Sequence, residues 1–286
     1  MIGALRARAT GCFAWRWAVL AGPGLVAGCS PEPPALSLTD IPGPCDASTD
    51  VHRSLHFDGV TDFMTTGTAG FPTASDRQTL SMWVRPSDLS GQQTFVTLRR
   101  DVRSGVTFGI RNGNIAAWAV FGDHILVQAA LSPAATATTD WHHVAYVQDI
   151  ADAGMLSSTL YIDGVAVAMG DGNTNNLNPL FSWIGSFDGE PADAVSSDGA
   201  FFGGNLDEIR IWAVARTPAG ILEDMQGTVT PGEPGLVAYF NCSFVCGTRM
   251  PDLSGNGNDA TLGGGNPSYM PTLAADVPPL RDGGGF

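Results

Sequence analysis

Trp141-His-His-Val-Ala-Tyr-Val147 and Thr159-Leu-Tyr-Ile-Asp-Gly-Val-Ala-Val-Ala168 decide the fold class. Aromatic and β-branched residues fill the first run, as a half-buried pleated surface favours. In the second, Asp163-Gly164 separates two apolar runs. A type I′ turn needs φ > 0 at both central residues, and Asp-Gly between apolar runs is the strongest short signal for one. Three consecutive antiparallel strands are expected here, forming the middle of a sheet.

The same period of two extends outward in both directions. Asn112-Gly113 lies between Val106–Ile110 and Ile115–Val120, a second hairpin. In Gln78–Val84, Leu80, Met82 and Val84 share one face, and Arg85-Pro86 stops the run. On the C-terminal side, Asn205–Trp212 alternates strongly. A regular strand puts Leu206, Glu208, Arg210 and Trp212 on one face and Asp207, Ile209 and Ile211 on the other. Thr217-Pro218 reads as the N-cap and first residue of a short helix ending near Gln226. About a dozen short strands with Gly and Asn turns, and one helix near the C-terminal end, indicate an all-β, two-sheet antiparallel sandwich. Trp83, Trp118, Trp141, Trp183 and Trp212 fall in strands or at a strand start. Most are expected in the core; the alternative reading is that one or two line a sugar-binding concave face.

The N-terminus carries an address. Arg6, Arg8 and Arg16 are the only charges up to residue 28, and Trp17–Ala27 is an apolar run too short to span a bilayer. Leu25-Val-Ala-Gly28 before Cys29 resembles the bacterial lipobox, which implies that residues 1–28 are a lipoprotein signal peptide and that Cys29 is lipidated. Ser30 after the Cys implies the outer membrane or cell surface. Residues 29–49 are rich in Pro and small residues and read as a flexible tether.

Without residues 1–28, which hold three of the 14 basic and none of the 28 acidic residues, the net charge goes from −14 to −17. A nucleic-acid binder needs a basic face, so that class is excluded. Cys45, Cys242 and Cys246 then remain beside the acylated Cys29, an odd number suited to an oxidising compartment. A disulfide between Cys242 and Cys246 is expected, since a small loop after a strand brings two Cα atoms within the roughly 4.4–6.8 Å required. The rival is Cys45 bonded to one of them.

Six segments occur in the order found in bacterial LamG-like jelly-roll domains. They are Leu55-His-Phe-Asp-Gly59, Leu80-Ser-Met-Trp-Val-Arg-Pro86, Trp141-His-His-Val-Ala145, Leu160-Tyr-Ile-Asp-Gly-Val165, Trp183-Ile-Gly185 and Leu206-Asp-Glu-Ile-Arg-Ile-Trp212. The chain therefore resembles the concanavalin A-like lectin/glucanase superfamily, with its jelly-roll domain over residues 50–226. Gly235–Phe240 and Asp252–Leu262 resemble the opening strands of such a domain, so residues 227–275 are expected to be a C-terminal strand pair packed on the sandwich. Residues 276–286 are expected to be a disordered tail.

The resemblance implies a binding module for carbohydrate, with a protein-binding adhesion or surface-assembly module as the alternative. A glycan-active enzyme is the weakest reading. Enzymes of the superfamily carry a Glu-x-Asp-x-Glu strand whose acids share one face, and this chain has none. Asp207-Glu208 is the nearest candidate, but adjacent strand residues point apart. The same holds for His142 and His143, and no Gly-x-Ser-x-Gly elbow supports a hydrolase. In relatives, the Asp corresponding to Asp207 holds a structural calcium with groups from the N-terminal strand. The resemblance thus implies a Ca2+ site at Asp207 with partners around Asp58 and Gly59. Glycans or surface proteins, and the membrane through the lipid, are the implied partners.

Overall fold

The computed structural model describes residues 52–72, 77–101, 104–121, 124–131, 138–150, 156–171, 179, 181–187, 201–227 and 229–279. The signal peptide, Cys29, the tether, Cys45 and the loop at 188–199 lie outside the described residues.

Two antiparallel sheets face each other across one core, as a jelly-roll sandwich requires. The first sheet runs β10 (Val165–Asp171), β9 (Leu156–Ile162), β8 (His142–Ile150), β3 (Gln78–Pro86), β12 (Gly203–Trp212), β1 (Ser54–Asp58) and β16 (Thr272–Ala274). A further strand, β13 (Leu236–Phe240), also pairs with β12. The second runs β14 (Arg249–Met250), β15 (Ala260–Leu262), β2 (Met64–Thr66), β11 (Phe181–Ile184), β4 (Gln92–Asp101), β5 (Ser104–Arg111), β6 (Asn114–Phe121) and β7 (His124–Leu131).

The decisive stretch folds as β8, β9 and β10, with Asp163 at φ 51° and Gly164 at φ 77° in the turn. Asn112 and Gly113 make the second hairpin the same way, at φ 51° and 82°. The three strands do not form the middle of the sheet, however. β10 is its edge, and β3 and β12 lie at the centre. Local turn chemistry sets which strands pair in a hairpin. Which neighbour covers the far side is a long-range choice that periodicity does not encode.

Inward residues alternate as expected in β3, where Leu80, Met82 and Val84 enter the core. Phe95 on the facing sheet packs edge-on against Phe108 and Phe202. The helix α1 spans Pro218–Gln226, with Thr217 Oγ1 accepting from Gly220 N at 3.1 Å. Its Ile221 packs on Ala145, Val147 and Tyr161, covering part of the outer face of the first sheet.

The C-terminal segment adds more than a strand pair on one side. β13 and β16 enter the first sheet, and β14 and β15 enter the second. Asp252 fixes the connection by accepting from Tyr239 N and Ser254 N through Oδ1 and from Asn258 N through Oδ2. Asn258 in turn bonds both the N and O of Ala69 and the Val237 O, tying the segment to the main domain. Order also continues past residue 275. Asp276 pairs with Arg85, accepts from Trp141 Nε1 at 3.2 Å, and its carbonyl accepts from Ser54 Oγ.

Candidate functional site

A cleft of about 410 Å³ opens at one end of the sandwich. Three segments build it: the end of β1 with its turn at Asp58-Gly59, the β3–β4 loop from Ser87 to Gly91, and the approach to β12 at Phe201–Gly203. Asp58 forms the turn itself. Its Oδ1 accepts from Val60 N, Thr61 N and Asp62 N at 2.8, 2.8 and 3.0 Å, and its Oδ2 accepts from Thr61 Oγ1 at 2.9 Å. Burial alone raises a carboxyl, but these four bonds outweigh it and hold Asp58 below its ordinary range. Asp88 shapes the other wall in the same manner. Its Oδ1 accepts from the Ser90 hydroxyl, from Ser90 N at 2.7 Å and from Gln93 Nε2 at 3.2 Å. The bond from the Ser90 hydroxyl is the largest influence holding its pKa low. Gln93 Oε1 accepts from Gly203 N at 3.2 Å, joining this loop to β12.

A second hollow of about 260 Å³ shares Ser87 with the cleft and adds Arg85, Pro86, Thr139, Asn205 and Asp276. Its polar row follows from register, since His56 pairs with Asn205 and Asn205 with Arg85 on the outer face of the first sheet. His56 Nδ1 lies 2.8 Å from Asn205 Oδ1. Trp141 borders this row through Asp276, and is half-buried. Trp183 is half-buried too, whereas Trp83, Trp118 and Trp212 are buried as expected.

The implied calcium oxygens do not converge. Asp58 stands opposite Gly203, and Leu55 opposite Leu206, so Asp207 lies about four residues along the ladder from Asp58, on the order of 13 Å. Asp58 also already accepts four bonds, as above. Asp207 meets His52 instead, with Nε2 3.0 Å from its Oδ2. Gly59 remains at the cleft.

The expected alternation of β12 fails at this point. Leu206, Ile209 and Ile211 all enter the core, and the register with β3 shifts between Asp207 and Arg210. Glu208 sits at φ 52° in the resulting bulge. Asp207 and Glu208 therefore turn away from the core together, and donor atoms of His52, Asp207 and Glu208 lie within 4.8 Å of one another. Asp207 Oδ1 accepts from Glu208 N at 2.8 Å. Burial pushes Asp207 up to about 7 against the pull of His52, and Glu208 adds to the rise. Glu208 is held by Arg210 and by Tyr239 Oη, which donates to its Oε2 at 2.8 Å.

The two histidines of the decisive stretch do face apart. His143 is buried against Trp83, and burial lowers its pKa to about 3. His142 bonds Asp163 Oδ2 at 2.7 Å. They form no catalytic pair.

The expected Cys242–Cys246 disulfide is absent. Cys242 is a free, fully buried thiol pointing into the core from φ 51°, with Sγ 3.7 Å from the Phe240 O. Cys246 is disulfide-bonded, and its partner lies outside the described residues. The left-handed turn at Cys242 aims its side chain inward, while Cys246 sits on a surface bridge to Arg249. Sequence reasoning also missed Asp88, His52 and the role of Glu208. The Asp88-Leu-Ser-Gly91 turn chemistry was the available signal for the first. Nothing local marked the other two.

The family model described as the concanavalin A-like lectin/glucanases superfamily matches residues 58–222. A search of curated proteins finds no match. Among solved structures, a Bacteroides ovatus ATCC 8483 protein to which carbohydrate binding has been ascribed aligns with TM-score 0.61 and 17% identity, over 81% of this chain and 62% of its own. This chain thus spans less than two thirds of that relative. Domain 4 of AbnA, a GH43 extracellular arabinanase from Geobacillus stearothermophilus in complex with arabinotriose, aligns with TM-score 0.46 and 19% identity, over 60% and 76% of the two chains. The first of these likenesses establishes a shared fold.

Proposed function

The chain belongs to the concanavalin A-like lectin/glucanases superfamily, and on that premise we propose that it is a carbohydrate-binding module tethered to a bacterial cell envelope by a lipid on Cys29. The observation that carries the reading is the cleft at Asp58 and Asp88. Its volume falls in the range of small-ligand sites. Its walls offer carboxylate, amide and hydroxyl groups from Asp88, Gln92, Gln93, Ser87 and Ser90, with Phe201 among them. Sugars present the matching combination of hydroxyl groups and apolar C–H faces. The carbohydrate binding ascribed to the Bacteroides ovatus relative supports the same class.

Binding suits the cleft better than glycoside hydrolysis. A general acid at neutral pH needs a raised pKa. Asp58 and Asp88 are both held low, so each accepts hydrogen bonds and neither has a proton to give.

A glycan array with the purified chain, followed by titration of the best hit against Asp88→Ala, tests the reading. Gln93 Nε2 keeps its bonds to the Asp88 and Ser90 carbonyls in that variant, so part of the loop's bracing remains while the carboxylate is removed. Binding weakened about tenfold or more supports the cleft. A hit with unchanged affinity removes the cleft, and a blank array removes the carbohydrate module. For the anchor, Cys29→Ser is expected to shift the protein out of the membrane fraction. Unchanged partitioning, with an unmodified N-terminal peptide mass in the wild type, would overturn lipidation.

The protein-binding alternative has one observation of its own. Val165 and Met169 on the edge strand β10 are 63% and 79% exposed. Apolar edge strands are templates for pairing with another chain.

A further inference from the structure

We infer that Thr138, His142 and Asp163 form a nucleophile–base–carboxylate triad that cleaves carboxylic esters, an activity separate from whatever the cleft binds. His142 Nε2 lies 2.8 Å from Thr138 Oγ1, and its Nδ1 lies 2.7 Å from Asp163 Oδ2. That is the arrangement by which an activated hydroxyl is recognised: nucleophile on base, and base on an orienting acid. The pairing of β8 with β9 builds the rear of it. His143 N donates to Asp163 Oδ1 at 2.9 Å, and Asp163 N donates to the His143 O at 2.8 Å. Asp163 is thereby fixed in its turn with Oδ2 turned to His142. The turn itself is packed, since a Cβ on Gly164 would come within 2.4 Å of Leu222 on α1.

The hydrogen bonds fix the direction of proton transfer. An ionised carboxylate only accepts, so Nδ1 carries the hydrogen and Nε2 of the neutral ring is the acceptor. The Thr138 hydroxyl therefore donates to Nε2. Its other contact, 3.3 Å to Asp140 Oδ2, is longer. Asp140 N donates back to Thr138 Oγ1 at 3.1 Å, which holds the hydroxyl in place. The histidine side chain is only 16% exposed, whereas Thr138 is open to solvent and to a substrate.

A place for the substrate adjoins the hydroxyl. Thr139, next in the chain, lines the hollow of about 260 Å³ together with Arg85, Ser87 and Asn205. Those polar walls suit the ester of a hydroxyl-rich alcohol. Arg85 bonds Asp276 through one nitrogen, and its guanidinium has further N–H groups for the oxygen on which charge develops. In the first step Thr138 Oγ1 attacks the carbonyl carbon as Nε2 takes the hydroxyl proton. The bond to the alcohol oxygen breaks, and the same proton leaves with the alcohol. Water then attacks the acyl-threonine, giving one proton to Nε2. The carboxylic acid departs, and that proton returns to Thr138 Oγ1. Water is the only co-reactant.

The test follows turnover of p-nitrophenyl acetate by the purified full chain, with peptide mass analysis of protein quenched at short times. The chain has no lysine, so no ε-amine competes for the acetyl group. The expected result is nitrophenolate release faster than free imidazole gives at the same concentration, with the acetyl group found on the Thr138 peptide. Thr138→Ala and His142→Ala should each lower the rate about 10²-fold or more, and Thr138→Ser should keep most of it. His142 and Asp163 also brace the hairpin, so circular dichroism checks the His142 variant. Thr138→Ala, at an exposed position, carries the conclusion if that variant unfolds. A rate no greater than that of imidazole overturns the triad. So does an unchanged rate in Thr138→Ala, which would leave the chemistry to an unaided histidine, or acetylation only at other residues. The aryl ester needs no glycan, so failure here and a blank glycan array are distinct results.

Discussion

Leu206 and Ile209 point into the same core from positions three apart in one strand. A regular strand returns a side chain to the same face every second residue. The extra residue is taken up at Asp207-Glu208, and the carboxylate so displaced is caught by Arg210 and Tyr239. Glu208→Ala should leave the Arg210 guanidinium buried without its carboxylate and destabilise the domain by about 3–5 kcal/mol. Glu208→Gln keeps an acceptor for Tyr239 Oη and should cost less. Urea unfolding of the two variants checks the order, and equal losses would show that charge is not the cause.

His142 and Asp163 should make stability depend on pH in a defined window. The hydrogen bond that His142 donates to Asp163, opposed by burial, raises His142 above its ordinary 6.5. Burial raises Asp163, but bonds from His142 and from His143 N outweigh it and leave the carboxyl below its ordinary 3.8. A raised histidine contributes stability that is complete below 6.5 and lost as pH climbs through its folded value. A lowered carboxyl contributes stability that is complete above 3.8 and lost as pH falls through its folded value. The pair should therefore contribute fully between about pH 4 and 6.5. The stability difference between wild type and His142→Gln, measured by denaturant titration across pH 3–9, should peak in that window. A flat difference would remove the pair as a contributor.

Cysteine chemistry should divide the two C-terminal cysteines. Cys242 is buried, and burial pushes its thiol well up, so it should resist alkylation until the domain unfolds. Cys246 should appear in a disulfide, and non-reducing peptide mapping is expected to join it to Cys45. A peptide joining Cys242 to Cys246 would contradict the structure.

Gly185, the last residue of the Trp-Ile-Gly segment, should not accept a side chain. It sits at φ 83°, and a Cβ there would come within 2.3 Å of the Phe57 ring. Phe57 belongs to the core and has no room to retreat. Gly185→Ala should cost on the order of 1–3 kcal/mol from overpacking, plus strain from the left-handed backbone. The Cm of chemical unfolding should fall with the m-value unchanged.

The sequence by itself determined the strands, both Asp/Asn-Gly hairpins, the helix with its Thr217 cap and the two-sheet class. These depend on turn chemistry and side-chain period, which act over a few residues. It also singled out Asp207, with partners implied around Asp58 and Gly59. Only the tertiary structure decided what its partner is. The β12 bulge reversed the facing of Glu208, and a bulge appears in the register between strands rather than in the alternation of one. The β1–β12 pairing then set His52 beside Asp207 and left Asp58 at the cleft with Asp88. Cys242 was likewise aimed inward by a backbone turn, leaving Cys246 to bond elsewhere. Each of these depends on contacts between residues far apart in the chain, for which no local periodicity carries a signal.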